Sequence, residues 1–143
     1  MAKLEIVYFS QLGHTKKMAS AIAEGAGSKG VDTTIKPVSM LLSINEIEGT
    51  DAIAIGAPTQ NSNIPRQVRT LLEKMEGLNL GGMPAAAFGS YGFSGEAPDM
   101  ISDKLRSMGM DVVGVVRALK KPDETVLAEC RKLGEELALK IEG

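Results

Sequence analysis

Ser10-Gln11-Leu12-Gly13-His14-Thr15 joins a short apolar run to a run with helical spacing. A strand-to-helix turn of this kind leaves several backbone N–H groups unpaired and aimed at one spot, which suits an anion. Gly13 lets the backbone approach a ligand closely, and the hydroxyls of Ser10 and Thr15 can donate to phosphate oxygens or cap the helix. The turn lacks the G-x-G-x-x-G of a dinucleotide pyrophosphate site and the Gly-Lys-Ser/Thr ending of a P-loop, so a single phosphate is expected, carried by a mononucleotide. An ordinary capped turn would have the same six residues, and the remaining polar loops must decide between the two.

Two further stretches have unusual content. In Pro58-Thr59-Gln60-Asn61-Ser62-Asn63, three uncharged amides offer donors and acceptors that can read the edge of a heterocycle, and Asn tolerates left-handed backbone. The same residues also suit a plain turn with local backbone hydrogen bonds. In Gly89-Ser90-Tyr91-Gly92-Phe93-Ser94-Gly95, two of the chain's five aromatics lie among three glycines. Either a ring stacks on a flat ligand, or both rings tuck beneath the loop as a plug. Neither stretch contains an acid, and Arg66 follows the first while Glu96 follows the second, so little negative charge is expected around a ligand held between them.

The elements that must position these loops are legible in the spacing of apolar residues. Leu4–Phe9, Ala52–Gly56, Pro84–Phe88 and Val112–Val116 are short, continuous apolar runs of the kind found in central parallel strands. Val31, Thr33 and Ile35 alternate with polar residues before Pro37, which suits an edge strand because proline cannot donate to a ladder. Helical spacing runs from His14 to about Lys29, through Val68, Leu71, Leu72 and Met75 after Pro65, through Ala97 to Met108, and through Val126, Cys130, Leu133, Leu137 and Ile141. The segment from Met40 to Glu48 is weakly signalled. Strands alternating with helices predict a doubly wound α/β fold, a five-stranded parallel sheet with helices on both faces and right-handed crossovers. With strand two at the rim the order is 2-1-3-4-5, and the loops after strands one, three and four meet at the switch point between strands one and three.

Length and composition narrow the function. At 143 residues and 43% hydrophobic content, residues 1–143 are expected to form one domain with a proper core. A net charge of −2 gives no basic footprint for nucleic acid. No apolar run spans a bilayer and no signal peptide opens the chain, so no membrane association and a cytoplasmic location are expected. One cysteine, Cys130, read as a half-buried structural thiol, and one histidine, His14, exclude an internal disulfide, a thiolate cluster and a multi-histidine metal site. Redox or group-transfer chemistry would therefore need an organic cofactor.

Three motifs in order, Ser10-x-x-Gly13-x-Thr15, Gly56-Ala57-Pro58-Thr59-x-Asn61 and Phe88-Gly89-Ser90-Tyr91-Gly92-Phe93-Ser94-Gly95-Glu96-Ala97, resemble the three FMN loops of the flavodoxin family of short-chain type. The likeness runs the length of the chain and is greatest to the flavodoxin domain of A-type flavo-diiron flavoproteins, here without their metal-binding half. The resemblance implies an FMN-binding electron carrier working with redox protein partners whose identity it does not give, and not a stand-alone enzyme. A flavin-dependent NAD(P)H or quinone oxidoreductase of the same fold is the alternative. By position, Ser10, Gln11, Leu12, Gly13, His14 and Thr15 would hold the phosphate. Pro58, Thr59, Gln60, Asn61, Ser62 and Asn63 would meet the flavin's redox-active edge. Ser90, Tyr91, Gly92, Phe93, Ser94 and Gly95 would cover its opposite face and pyrimidine edge. Leu12 and His14 stand where the family commonly has a hydroxyl and an amide, so those two side-chain contacts to phosphate are not expected and the backbone donors remain. The second loop has no aromatic, which leaves one flavin face to Ile64 or to a partner. A phosphoacceptor receiver, which shares the strand order, is excluded because its acidic positions are Ser10-Gln11 and Pro58-Thr59 here.

Overall fold

The computed structural model describes residues 2–41 and 43–142. Met1, Leu42 and Gly143, which the expected domain includes, lie outside the described residues, and Leu42 also falls within the weakly signalled segment. The chain runs β1 (Lys3–Tyr8), α1 (His14–Gly27), β2 (Asp32–Pro37), a 3₁₀ turn (Val38–Met40), α2 (Asn45–Glu48), β3 (Ala52–Gly56), α3 (Arg66–Met75), β4 (Pro84–Tyr91), α4 (Glu96–Ser107), β5 (Asp111–Leu119) and α5 (Glu124–Glu142). All strand pairs are parallel and the order is β2-β1-β3-β4-β5, as the pattern predicts. Pro37 closes edge strand β2, where its missing N–H costs no ladder bond.

Strand alternation divides the core in two. Leu4, Ile6 and Tyr8 point to the face covered by α1 and α5, where Met18, Ile22, Leu133 and Leu137 meet them. Val7, Ile53 and Ile55 point to the other face, against Ile47, Val68, Leu72, Ile101 and Leu105. Each fully buried aliphatic side chain of this kind contributes about 1.5–3 kcal/mol, so the two layers together fix where the strand ends lie. Cys130 belongs to the first layer and is fully buried, not half-buried as the sequence suggests; burial pushes its thiol up to about 12, which leaves it inert.

Two strands are longer than their apolar runs. β4 continues through Ser90 and Tyr91, and β5 extends from Asp111 to Leu119, because the two pair with each other out to Tyr91↔Leu119. The register shifts between Ala85 and Ala86, whose partners are Val112 and Gly114. Backbone pairing with a distant strand, not local side-chain character, sets these ends.

One buried charge interrupts the second layer. Glu5 is 5% exposed on β1, and Lys36 Nζ from β2 lies 3.5 Å from its carboxylate and 3.0 Å from that of Glu46 on α2. Burial raises the Glu5 carboxyl above its usual range while Lys36 pulls it down. A carboxyl raised in the fold favours folding most when it is protonated, and that advantage is lost as pH rises through the folded value. Lys36→Met is therefore expected to lower the thermal unfolding midpoint at neutral pH, with the loss shrinking as the solution is acidified toward protonation of Glu5. Melting curves across the acid-to-neutral range check this; a loss that stays constant with pH would show that Lys36 does not compensate Glu5.

Candidate functional site

The loops after β1, β3 and β4 are rooted in one another at the carboxyl end of the sheet. Phe9 N–H donates to Gly56 O (3.0 Å), Ala57 N–H to Phe88 O (3.1 Å) and Thr59 N–H to Ser90 O (3.3 Å). These bonds prolong the strand ladders just past the strand ends, so each loop springs from a fixed base.

In the first loop, Gly13 takes a left-handed conformation (φ 85°) directly before α1, and its N–H donates to Ser10 Oγ at 3.0 Å. Its carbonyl accepts from Lys17 N–H, the first bond of the helix. The N–H groups of His14, Thr15 and Lys16 then have no acceptor among the described residues, so three donors at the positive end of the helix dipole face outward together. Ser10 accepts from Gly13 and keeps its own O–H to donate. Thr15 is buried, and its Oγ1 lies 3.1 Å from Ser90 Oγ and accepts from Ser90 N–H at 3.4 Å. That hydroxyl ties the first loop to β4. Leu12 is 81% exposed, so at that position the loop has only its backbone to offer. Beside the loop is a cavity of about 390 Å³ lined in part by Phe9, Ser10, Gly13, Lys16 and Gln67.

The second loop is a tight hairpin. Gln60 and Asn63 exchange both backbone bonds at 2.9 Å, with Asn61 (φ 50°) and Ser62 (φ 59°) left-handed at the tip, the geometry of a type I′ turn. Asn63 Oδ1 accepts from Ile64 N–H at 2.7 Å, and Thr59 Oγ1 accepts from Ala97 N–H at 3.0 Å, which fastens this loop to the start of α4. Ile64 is 4% exposed and packs into the core, so it is not the cover for a flavin face that the sequence offered.

In the third loop the two aromatics part ways. The Tyr91 ring packs over Gly95, where any added Cβ would approach it to about 3.0 Å, and its carbonyl accepts from Lys120 N–H at 2.6 Å. Phe93 is 99% exposed. The plug reading thus describes Tyr91 and fails for Phe93. Ser90 is 6% exposed and belongs to the strand end, not to the loop tip.

Glu96, which lies in the third motif but is not among the expected site residues, opens α4. Hydrogen bonding from Ser94 holds its carboxyl below the usual range against the opposing pull of burial, with its own backbone N–H and the Ser62 hydroxyl assisting. Its Oε1 is buried with no hydrogen-bond partner among the described residues. Glu96 is thus the carboxylate nearest the loop tips in sequence, the one acid that the expectation of little negative charge already placed at the end of the third loop. An acid at the first position of a helix that follows a Ser-Gly pair was the available signal.

A doubly wound parallel sheet whose switch-point loops offer one cluster of convergent N–H donors and one exposed ring defines a mononucleotide-binding α/β protein. The chain belongs to the flavodoxin family, whose model, described as Flavodoxin, matches residues 6–134. It is 31% identical over 141 residues to the anaerobic nitric oxide reductase flavorubredoxin of Aeromonas hydrophila subsp. hydrophila, covering 95% of this chain and 28% of that protein. The chain therefore spans less than a third of that curated relative. It superposes on a flavodoxin from the domain Archaea with TM-score 0.92, 38% identity and 99% coverage of both chains. It superposes on the rubredoxin oxygen:oxidoreductase of Desulfovibrio gigas with TM-score 0.92 and 26% identity, covering 98% of this chain and 36% of that one.

Proposed function

We propose that this chain is one FMN-binding domain that carries electrons between redox proteins in the cytoplasm. The observation that supports it most is the set of unpaired N–H groups of His14, Thr15 and Lys16 behind left-handed Gly13 at the switch point, together with an exposed Phe93 in the loop after β4. This donor set fits a phosphate: convergent backbone N–H groups at a helix N-terminus, with the Ser10 hydroxyl as a further donor. Gln11 and Leu12 contribute backbone, and Pro58 to Asn63 border the ring edge through the hairpin amides. Ser90 to Gly95 border it from the other side, with Phe93 as the ring that stacks. FMN, when bound, supplies the electron-transfer chemistry. The protein's part is to hold the phosphate without a metal, orient the ring between two braced loops and keep one edge accessible. Among the described residues no three His, Cys, Asp or Glu side chains form a metal site, and no helix is long and apolar enough to cross a membrane.

Purified protein is expected to carry FMN in near-equal amount and to be reducible chemically without turning over a substrate. Consumption of NAD(P)H with a quinone by the protein alone would replace this reading with the oxidoreductase one.

Lys16 and Lys17 are exposed in the first turn of α1, where positive charge opposes the helix dipole unless an anion is bound. The double variant Lys16→Ala, Lys17→Ala is expected to weaken FMN binding roughly three- to tenfold at low salt, with the difference fading as salt screens the exposed charges. Equal affinity at every salt concentration would remove these lysines from the phosphate site.

A further inference from the structure

Among the described residues, the large hydrophobic side chains left exposed are Leu12, Ile35, Met40, Phe93, Leu119 and Leu139. Four of the six, Leu12, Met40, Phe93 and Leu119, follow or close the carboxyl ends of β1, β2, β4 and β5 and so share one end of the parallel sheet. Single exposed apolar residues are ordinary, but their concentration at one end of the sheet points to an interaction surface there. Phe93 is assigned to the flavin; Leu12 and Leu119, 81% and 60% exposed, have no such occupation.

The charges at this end that form no ion pair among the described residues are mostly positive, Asp123 and Glu96 being the acids among them. Lys16, Lys17, Arg66, Lys120 and Lys121 are exposed, and none forms an ion pair among the described residues. The acids at the same end are engaged: Asp99 pairs with Arg117, Glu124 with Arg131, Asp123 accepts from Val126 N–H at the start of α5, and Glu96 faces Ser94 and Ser62. The whole chain has a net charge of −2, so this basic end stands out against an acidic remainder. Lys120 itself is held in a left-handed conformation (φ 61°), with its N–H on the Tyr91 carbonyl, which fixes the β5–α5 turn against the third loop. Such a conformation is strained in a residue other than glycine and persists where the surroundings enforce it.

We propose that the carboxyl end of the sheet is a docking face for an acidic electron-transfer protein. Leu12 and Leu119 meet an apolar centre on that partner, and Lys16, Lys17, Arg66, Lys120 and Lys121 meet a surrounding ring of carboxylates. The identification of an electron-transfer partner rests on the FMN reading above; the sign of the partner's charge rests only on this surface. Complementary charge of this kind speeds encounter by about 10- to 1,000-fold and rejects partners of like charge.

The test is an NMR titration of the ¹⁵N-labelled protein, with and without FMN, using two redox-inactive probes: a gallium-substituted plant-type ferredoxin, which is acidic, and a zinc-substituted cytochrome c, which is basic. The acidic probe is expected to shift the amides of Leu12, Lys16, Lys17 and Leu119 to Lys121, with an affinity that falls about tenfold as salt rises from low to physiological concentration. Lys120→Glu with Lys121→Glu is expected to weaken that binding about tenfold at low salt and to flatten its salt dependence, and Leu119→Ser to weaken it severalfold at every salt concentration. Preference for the basic probe, shifts confined to another face, or concentration-dependent self-association through Leu119 would each overturn the proposal. FMN content, measured first by absorbance, keeps the two readings apart. A protein without FMN fails as a flavoprotein, whereas a flavin-loaded protein that ignores the acidic probe fails only here.

Discussion

Gly13→Val is expected to leave the protein folded and strip it of FMN. Gly13 adopts φ 85°, a region that a β-branched residue enters at a cost of about 1–3 kcal/mol. A Cβ there would meet nothing within 4 Å, so no clash adds to that cost and the fold, stable by about 5–15 kcal/mol, survives. Relief comes by rotating φ toward negative values, which draws the Gly13 N–H off Ser10 Oγ and turns the N–H groups of His14, Thr15 and Lys16 away from their common focus. Each charge-assisted hydrogen bond to phosphate contributes about 1.5–3 kcal/mol, so losing two raises the dissociation constant by about 10²- to 10⁴-fold. Quenching of FMN fluorescence on binding reads the affinity, and a circular-dichroism melt shows whether the variant is folded. Gly13→Ala should fall between the two, since it has the φ penalty without the branched carbon. A folded Gly13→Val that binds FMN as tightly as the parent would move the phosphate elsewhere.

The sheet order was legible because two independent signals agree on it: Pro37 consigns its strand to an edge, and the uninterrupted apolar runs consign the others to the interior. The three loops were legible because polar residues and glycines crowd only where strands give way to helices. What the chain hid were facts made by partners far away in sequence. Ser90 and Tyr91 have the composition of a loop, yet they continue β4 because Ala118 and Leu119 supply the pairing. Thr15 has the position of a phosphate donor, yet its hydroxyl turns inward because Ser90 lies behind it. Both features have one cause: a short polar residue hydrogen-bonds whichever group the fold presents, and local sequence does not contain that group. Glu96 is the same case with a charge, since the hairpin tip at Ser62 meets the start of α4 only after β3 and β4 have paired. The left-handed tip at Asn61 and Ser62 was half visible, because Asn favours such backbone and Ser does not announce it.

The two aromatics of the third loop give the second large effect, and they are expected to respond in opposite ways. Tyr91 has already spent its ring on Gly95 and its carbonyl on Lys120, so it braces the loop whether or not a ligand is present. Phe93, 99% exposed, has no contact to lose and a whole ring to bury. Stacking on a flat heterocycle would remove about 100 Å² of apolar surface from water, roughly half of what an aromatic side chain buries in full, and at about 25 cal/mol per Å² this amounts to about 2.5 kcal/mol. Phe93→Ala is therefore expected to weaken FMN binding about 30- to 100-fold without lowering the melting temperature of the apoprotein, and Phe93→Trp to restore or exceed the parent affinity. Tyr91→Ala should lower the apoprotein melting temperature instead, with loss of affinity following from a loosened loop. Because the Phe93 term is apolar, its loss should persist at high salt, where the lysine effect has vanished. Affinity within about threefold of the parent in Phe93→Ala, together with a salt-independent loss in Tyr91→Ala that leaves the melt unchanged, would assign the stacking to Tyr91 and leave Phe93 to the surface where partners dock.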